Sequence, residues 1–76
     1  MTPQHETLGQ RIRRLRKARR WTQVELAVEI GMGHYHTVLR WERGEDRITA
    51  ERFAQLAQAL GVSMDELYYG NRQTDG

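Results

Sequence analysis

Two short patterns in this chain mark the places where helices begin. Thr22 is followed three residues later by Glu25, and Ser63 is followed in the same way by Glu66. In such a pair the hydroxyl oxygen accepts from the backbone N–H of the glutamate, and the carboxylate accepts from the backbone N–H of the hydroxyl residue. No stretch of the chain alternates apolar and polar residues as a half-buried strand would. The sequence therefore predicts an all-α fold.

Start and stop signals divide the chain into five predicted helices. Glycines 31, 61 and 70 follow segments with helical spacing and are expected to end them. The predicted ranges are roughly 6–19, 22–31, 34–43, 49–61 and 64–69. The side chains expected in the core are Leu8, Ile12, Leu15, Val38, Trp41, Phe53, Leu56, Ala57 and Leu60.

The length and the composition limit what these helices can build. Seventy-six residues without a cysteine suffice for one small domain held by helix packing, with neither a disulfide nor a thiolate metal site. We expect this domain to span residues 6–70, between flexible polar ends at residues 1–5 and 71–76. No apolar stretch is long enough for a signal peptide or a membrane span, so we expect a soluble cytoplasmic protein.

The basic residues are concentrated in the first part of the chain. Residues 1–47 hold ten Lys and Arg against six Asp and Glu, a net charge of +4, whereas residues 48–76 hold two against four, a net charge of −2. Seven of the twelve basic residues lie between positions 11 and 20. A membrane-surface helix would need a wider apolar face than this segment has. We interpret it as a solvated arginine face, which is expected of a nucleic-acid-binding surface but has the same appearance in a chain with no such partner.

The third predicted helix carries the residues best suited to contact a ligand. At 100° per residue, His36, Arg40 and Arg43 lie along one outer face, while Val38 and Trp41 lie on the opposite side. Taken alone, such a face is more typical of an ordinary solvated surface than of a binding site. A short glycine-containing turn joins this helix to the preceding one, and that arrangement is typical of a DNA-binding helix-turn-helix.

No residue pattern in the chain indicates catalysis, a cofactor or a metal. His34 and His36 are two residues apart, so on a helix they would point about 200° from each other and could not hold one ion. The Gly-Met-Gly segment lacks the preceding strand and the third glycine of a nucleotide-binding fingerprint. Since no serine lies with a plausible base, we predict a protein that is not an enzyme and needs no cofactor.

Three segments together resemble a known family. TQVELAVEIG, TVLRWERG and ITAERFAQLAQALGVSMDEL, in this order, are similar to the Cro/CI-type (XRE) helix-turn-helix family of phage and bacterial transcriptional regulators. The resemblance covers about residues 7–69. It implies a compact five-helix, lambda-repressor-like domain whose second helix spans the DNA backbone and whose third helix enters the major groove. The function it implies is that of a sequence-specific regulator of transcription, of the repressor type.

The resemblance also implies roles for individual residues. The residues on its base-contacting positions are Tyr35, His36 and Arg40. Those expected to contact phosphate are Gln23, Thr37, Arg43 and Arg47. Arg16 and Glu42 occupy positions that form an ion pair between the first and third helices in related repressors.

The turn before the third helix departs from the family pattern. Between Gly31 and Gly44 this chain has one residue more than is usual, and GMGHYH stands where a sequence like GVSQS is common. His34 replaces the usual Ser or Thr cap, and Gly33 is expected to supply the unusual backbone angles. In the following loop, Glu45 and Asp46 put negative charge beside the presumed phosphate contact, which favours Arg47 as the donor there.

The last helix ends in two tyrosines, Tyr68 and Tyr69, which so short a helix cannot both bury. One exposed tyrosine would suit a homodimer formed through the C-terminal helices on double-stranded DNA, with half-sites about 34 Å apart. Two other functions stay open. ERGEDRIT loosely resembles a loop of restriction-modification controller proteins, and an antitoxin-type protein-interaction module would bind DNA only secondarily.

Overall fold

The computed structural model describes residues 6–70 and contains five α-helices with no strand in that range. The helices are α1 Leu8–Ala18, α2 Gln23–Glu29, α3 His36–Arg43, α4 Ala50–Leu60 and α5 Met64–Tyr69. The predicted all-α, five-helix fold is confirmed. The two ends predicted to be flexible, residues 1–5 and 71–76, lie outside the described residues. Within residues 6–70, every helix is too short or too polar to cross a membrane.

Local hydrogen bonds at the helix starts explain most of the observed boundaries. The two predicted capping pairs are formed, and the backbone N–H of Thr22 donates to the Glu25 carboxylate over 2.7 Å. A third pair, Thr7 with Gln10, begins α1 at Leu8 rather than at Glu6, where the prediction placed it. The glutamine carbonyl accepts as a carboxylate does, so this signal was present in the sequence and was missed.

The turn between α2 and α3 differs from its prediction. Gly31 takes the left-handed conformation, with φ 78°, and the backbone N–H of Met32 donates to the carbonyl oxygen of Ala27 over 2.8 Å. Gly33 has no positive φ, so the expectation that it would supply unusual backbone angles is wrong. The helix then starts at His36 instead of His34, and the N-cap residue is Tyr35, which makes no side-chain capping bond.

The core takes one completely buried side chain from each helix. Because each helix is short, its stability depends on this shared packing more than on its own hydrogen bonds. Trp41 is also buried, whereas the predicted core residues Leu8, Leu15 and Phe53 lie half-buried against the core. The five side chains with no exposed surface are Ile12, Leu26, Val38, Leu56 and Leu67.

Helices α1 and α3 approach each other closely at Gly9. A Cβ atom at this position would stand 2.5 Å from the carbonyl oxygens of both Trp41 and Glu42, closer than any real side-chain carbon. Glycine is therefore required by the proximity of the neighbouring backbone, although it lies inside a helix, where it is normally unfavourable. The contact sets the distance between α1 and the C-terminal half of α3.

Arg11 connects α1 to the end of α5. It was predicted to lie on the solvated face of the first helix, but it is 7% exposed. One terminal nitrogen of its guanidinium donates to the carbonyl oxygens of Leu67 at 2.9 Å and Tyr68 at 3.1 Å. Its Nε donates to the Glu6 carboxylate, which also accepts from Arg14. The prediction failed because the accepting carbonyls lie 56 and 57 residues further along the chain.

Gly9→Ala is expected to destabilise the fold by about 1–3 kcal/mol, because the added methyl group pushes α1 away from α3. The gain in helix propensity, which is less than about 1 kcal/mol at the second residue of a helix, offsets only part of this loss. Urea denaturation followed by circular dichroism measures it. Gly33→Ala is the control, since its Cβ would meet nothing within 4 Å. A Gly9→Ala protein as stable as the wild type would contradict the close approach.

Acid pH should weaken the contribution of Glu6. The hydrogen bond from Arg14 holds the pKa of this carboxyl below its ordinary value of 4.5, against the opposing effect of burial. Since the pKa is lower in the folded state, the stabilisation is present above the unfolded pKa and is lost as the pH falls through the folded pKa. The stability difference between wild type and Glu6→Gln should therefore be constant near neutrality and shrink below about pH 4.5.

Thermal unfolding between pH 2 and pH 7 measures this difference. Glu29→Gln is the matched control, because Glu29 is exposed and forms no ion pair within residues 6–70. Its difference from the wild type should stay small at every pH. A Glu6→Gln difference that grows on acidification would contradict the expected sign.

Candidate nucleic-acid interface

The outer face of α3 is exposed along the whole helix. His36, Arg40 and Arg43 are exposed, whereas Val38 and Trp41 on the opposite side are 0% and 4% exposed. Thr37 is half-buried on one flank of this face. The core therefore holds α3 by its inner side and leaves a row of donor groups in solvent, next to the turn from α2.

Aromatic rings cluster at the N-terminal end of this face. The rings of Tyr35 and His36 stack with their centroids 4.5 Å apart and their planes 25° from parallel. His34 lies before the helix, and its ring is 5.4 Å from that of His36, so the expectation that the two point in opposite directions is wrong. Within residues 6–70, no group of three or more side chains has the arrangement of a metal site.

A buried ion pair joins α1 to α3. Arg16 Nε lies 2.7 Å from Glu42 Oε2, and Arg16 Nη2 lies 3.1 Å from Glu42 Oε1, so the pair is bidentate. The two side chains are 8% and 4% exposed. A third nitrogen of Arg16, Nη1, donates to the carbonyl oxygen of Trp21 over 2.8 Å. The structure thus brings together the two residues that the resemblance implied would pair.

The same carboxylate also orients Gln23, the first residue of α2. The Gln23 amide nitrogen donates to Glu42 Oε1 over 3.1 Å. Gln23 and Arg43 line one small cleft between α1, α2 and α3, and Arg13 lies beside them. Arg13 is exposed and was not singled out in the sequence, because only the packing of α1 against α3 brings it next to the other two donors. The cleft has the donor groups that a phosphate requires.

Arg40 is held by the loop that follows its own helix. Its Nε lies 2.8 Å from Asp46 Oδ2, and the two side chains are 51% and 41% exposed. After Gly44, the backbone N–H of Glu45 donates to the carbonyl oxygen of Arg40, which turns the chain back alongside α3. The sequence had indicated Asp46 only as an unfavourable charge near phosphate. Arg47, in the same loop, is exposed.

The whole arrangement matches known proteins in both sequence and structure. A family model described as helix-turn-helix matches residues 12–67. This chain belongs to the helix-turn-helix family of the Cro/CI type. It is therefore a DNA-binding transcription regulator of that type, with the lambda-repressor-like fold expected from the sequence.

Three relatives define this similarity. An uncharacterized transcriptional regulator in the ATPase CF(0) region of Rhodospirillum rubrum is 37% identical over 73 residues, which cover 91% of this chain and 67% of the relative. The crystal structure of the P22 c2 repressor with a synthetic operator has a TM-score of 0.81 at 31% identity, covering 88% of this chain and 100% of that one. The restriction-modification controller C.AhdI from Aeromonas hydrophila has a TM-score of 0.75 at 34% identity, covering 80% and 91%.

Arg16→Met is expected to cost about 3–5 kcal/mol, because it leaves the buried Glu42 carboxylate without its cation. A loss of this size approaches the total stability of a small domain. Replacing both partners, Arg16→Met with Glu42→Leu, should recover part of it. No buried charge is then left unpaired, but the Trp21 carbonyl and the Gln23 amide each lose a hydrogen-bond partner. Chemical denaturation measures both variants. Arg13→Met, on an exposed position of the same helix, is the control, and a similar loss there would contradict the assignment.

Proposed function

We propose that this protein is a sequence-specific repressor of transcription that inserts α3 into the major groove of double-stranded DNA as a homodimer. The observation that carries the proposal is the exposed face of α3, whose donors project from a helix fixed on its other side by the core and by the Arg16–Glu42 pair. A major groove admits one α-helix, and such a face can reach the base edges. The P22 c2 repressor, which has the same fold, was crystallised in complex with a synthetic operator, and this supports double-stranded DNA as the partner.

The proposed contacts divide between bases and phosphates. Arg40 lies in the middle of the exposed face, and Tyr35 and His36 present stacked rings at its N-terminal end, so we assign these three to the bases. Gln23 and Arg43 share the cleft beside Arg13, and we assign them to phosphate. Thr37 on the flank of α3 and Arg47 in the exposed loop complete the phosphate contacts.

The dimer contact is proposed for the surface around α5. Met64, Tyr68 and Tyr69 are 46%, 59% and 63% exposed, so both tyrosines project into solvent rather than one. The rings of Tyr68 and Phe53 pack in a T-shaped arrangement, and the two residues line an open groove that continues to Met64. We propose that a second copy covers this apolar surface, since exposed apolar patches of this kind are commonly buried in oligomers.

A restriction-modification controller is the second candidate within this class. The similarity to C.AhdI, which extends over 91% of that chain, favours it. A controller and a repressor would share the interface described above and would differ in the genes they regulate. Titration with random duplex DNA at low and moderate salt separates both from a pure protein-interaction module, because such a module would show no affinity.

Arg40→Ala and Arg43→Ala should weaken binding in different ways. Selection from a random duplex pool first gives the preferred site, which we expect to contain two half-sites about 34 Å apart. On that site, losing Arg40 should cost about 1–3 kcal/mol and relax the preference at one base pair. Losing Arg43 should weaken binding to all sequences alike and reduce the slope of log affinity against log salt by about one.

Fluorescence anisotropy at several salt concentrations measures both effects. Arg20→Ala serves as the control, because Arg20 is exposed on the turn after α1 and has no assigned contact. Equal losses from Arg40→Ala and Arg43→Ala on every sequence would refute the division between base and phosphate contacts. A selected site with a single half-site would refute the dimer.

A further inference from the structure

The ion pair between Arg40 and Asp46 lies on the surface that we propose for DNA. The Nε–Oδ2 distance is 2.8 Å, and about half of the Arg40 side chain is exposed. A pair so accessible to solvent contributes little to folding stability. Its main effect is to fix the direction of the Arg40 side chain, which would otherwise be flexible in the middle of the α3 face.

The ion pair occupies the Nε side of the Arg40 guanidinium and leaves the two terminal nitrogens available. Asp46 accepts from Nε, and within residues 6–70 the terminal nitrogens of Arg40 donate to no other group. Those two nitrogens form a planar edge with parallel donors. Guanine presents the acceptors O6 and N7 side by side in the major groove, which is the complement of such an edge.

We propose that Asp46 is a positioning residue for base recognition, which holds Arg40 by its Nε so that the terminal nitrogens read a guanine. The inference rests on the proposed function, since it assumes that the α3 face enters the major groove. It adds a residue outside the helix to the set that determines specificity, and it names the base.

The negative charge of Asp46 strengthens this selectivity. A phosphate approaching Arg40 would be repelled by the neighbouring carboxylate, whereas the edge of a base carries no net charge. An arginine without this partner would bind phosphate or base alike and would lose more side-chain freedom on binding. The loop after α3 thus makes Arg40 a poorer phosphate ligand and a better base ligand.

The backbone places Asp46 for this role. The chain turns back at Gly44, where the N–H of Gly44 donates to the carbonyl oxygen of Trp41 and that of Glu45 to the carbonyl oxygen of Arg40. Glu45 carries the same charge on the same exposed turn, yet its side chain makes no ion pair within the described residues. The two neighbouring carboxylates therefore form a matched pair for an experiment.

The test compares Asp46→Asn with Glu45→Gln on the selected site, on a copy with the guanine replaced, and on random duplex. Removing either negative charge should raise affinity for random duplex by about two- to threefold. Asp46→Asn should also lower the preference for guanine by about tenfold, whereas Glu45→Gln should leave that preference unchanged. A duplex with 7-deazaguanine, which lacks the N7 acceptor, should weaken wild-type binding by about tenfold and Asp46→Asn binding far less.

The base preference of Arg40→Ala shows whether a negative result overturns only this inference or the proposed function as well. If the wild type has no sequence preference, or if Arg40→Ala keeps it, the proposed base contact fails and the positioning role falls with it. If Arg40→Ala loses the preference while Asp46→Asn keeps it, only the positioning role is overturned. In the Arg40→Ala background, Asp46→Asn should no longer change base preference, and a full tenfold change there would also overturn the inference.

Discussion

The Arg16–Glu42 ion pair is the interaction on which the position of α3 depends. The Glu42 carboxylate, on α3, accepts from Arg16 of α1 and from Gln23 of α2, while Arg16 also caps the carbonyl oxygen of Trp21. Burying these charges carries a desolvation cost that only well-formed hydrogen bonds offset. Within the described residues, every buried side-chain nitrogen or oxygen has a hydrogen-bond partner. The orientation of the exposed face therefore follows from a buried polar network as much as from apolar packing.

The arginines of this chain have contrasting environments. Arg11 and Arg16 are each 7% exposed and hold helix ends and helix pairs together, whereas Arg13 and Arg43 lie exposed beside Gln23. Arg40 is intermediate, because it is exposed but restrained by Asp46. These roles differ because the fold supplies different partners. The buried arginines donate to carbonyl and carboxylate oxygens, whereas the exposed arginines face solvent and the proposed DNA.

Several features were predictable because their signals are local. The capping pairs at Thr22 and Ser63 and the glycine at position 31 act through neighbouring backbone groups, so their sequence patterns identify helix ends directly. The start of α3 was predicted two residues too early. Its N-cap residue, Tyr35, makes no side-chain capping bond, so the sequence contains no capping signal at that boundary. The roles of Gly9, Arg11 and Asp46 were missed because their partners become neighbours only after folding or turning back.

The number and order of the helices, the buried sides of α3 and α4, and the family to which the chain belongs could all be inferred from the sequence. These properties depend on hydrogen bonds and periodicities that span a few residues, together with motifs in a fixed order. Three properties follow only from the packing of the helices: which arginines are buried, how closely α1 and α3 approach, and which groups face the proposed DNA together. Those properties depend on contacts between residues distant in the chain, whose distances no local pattern encodes.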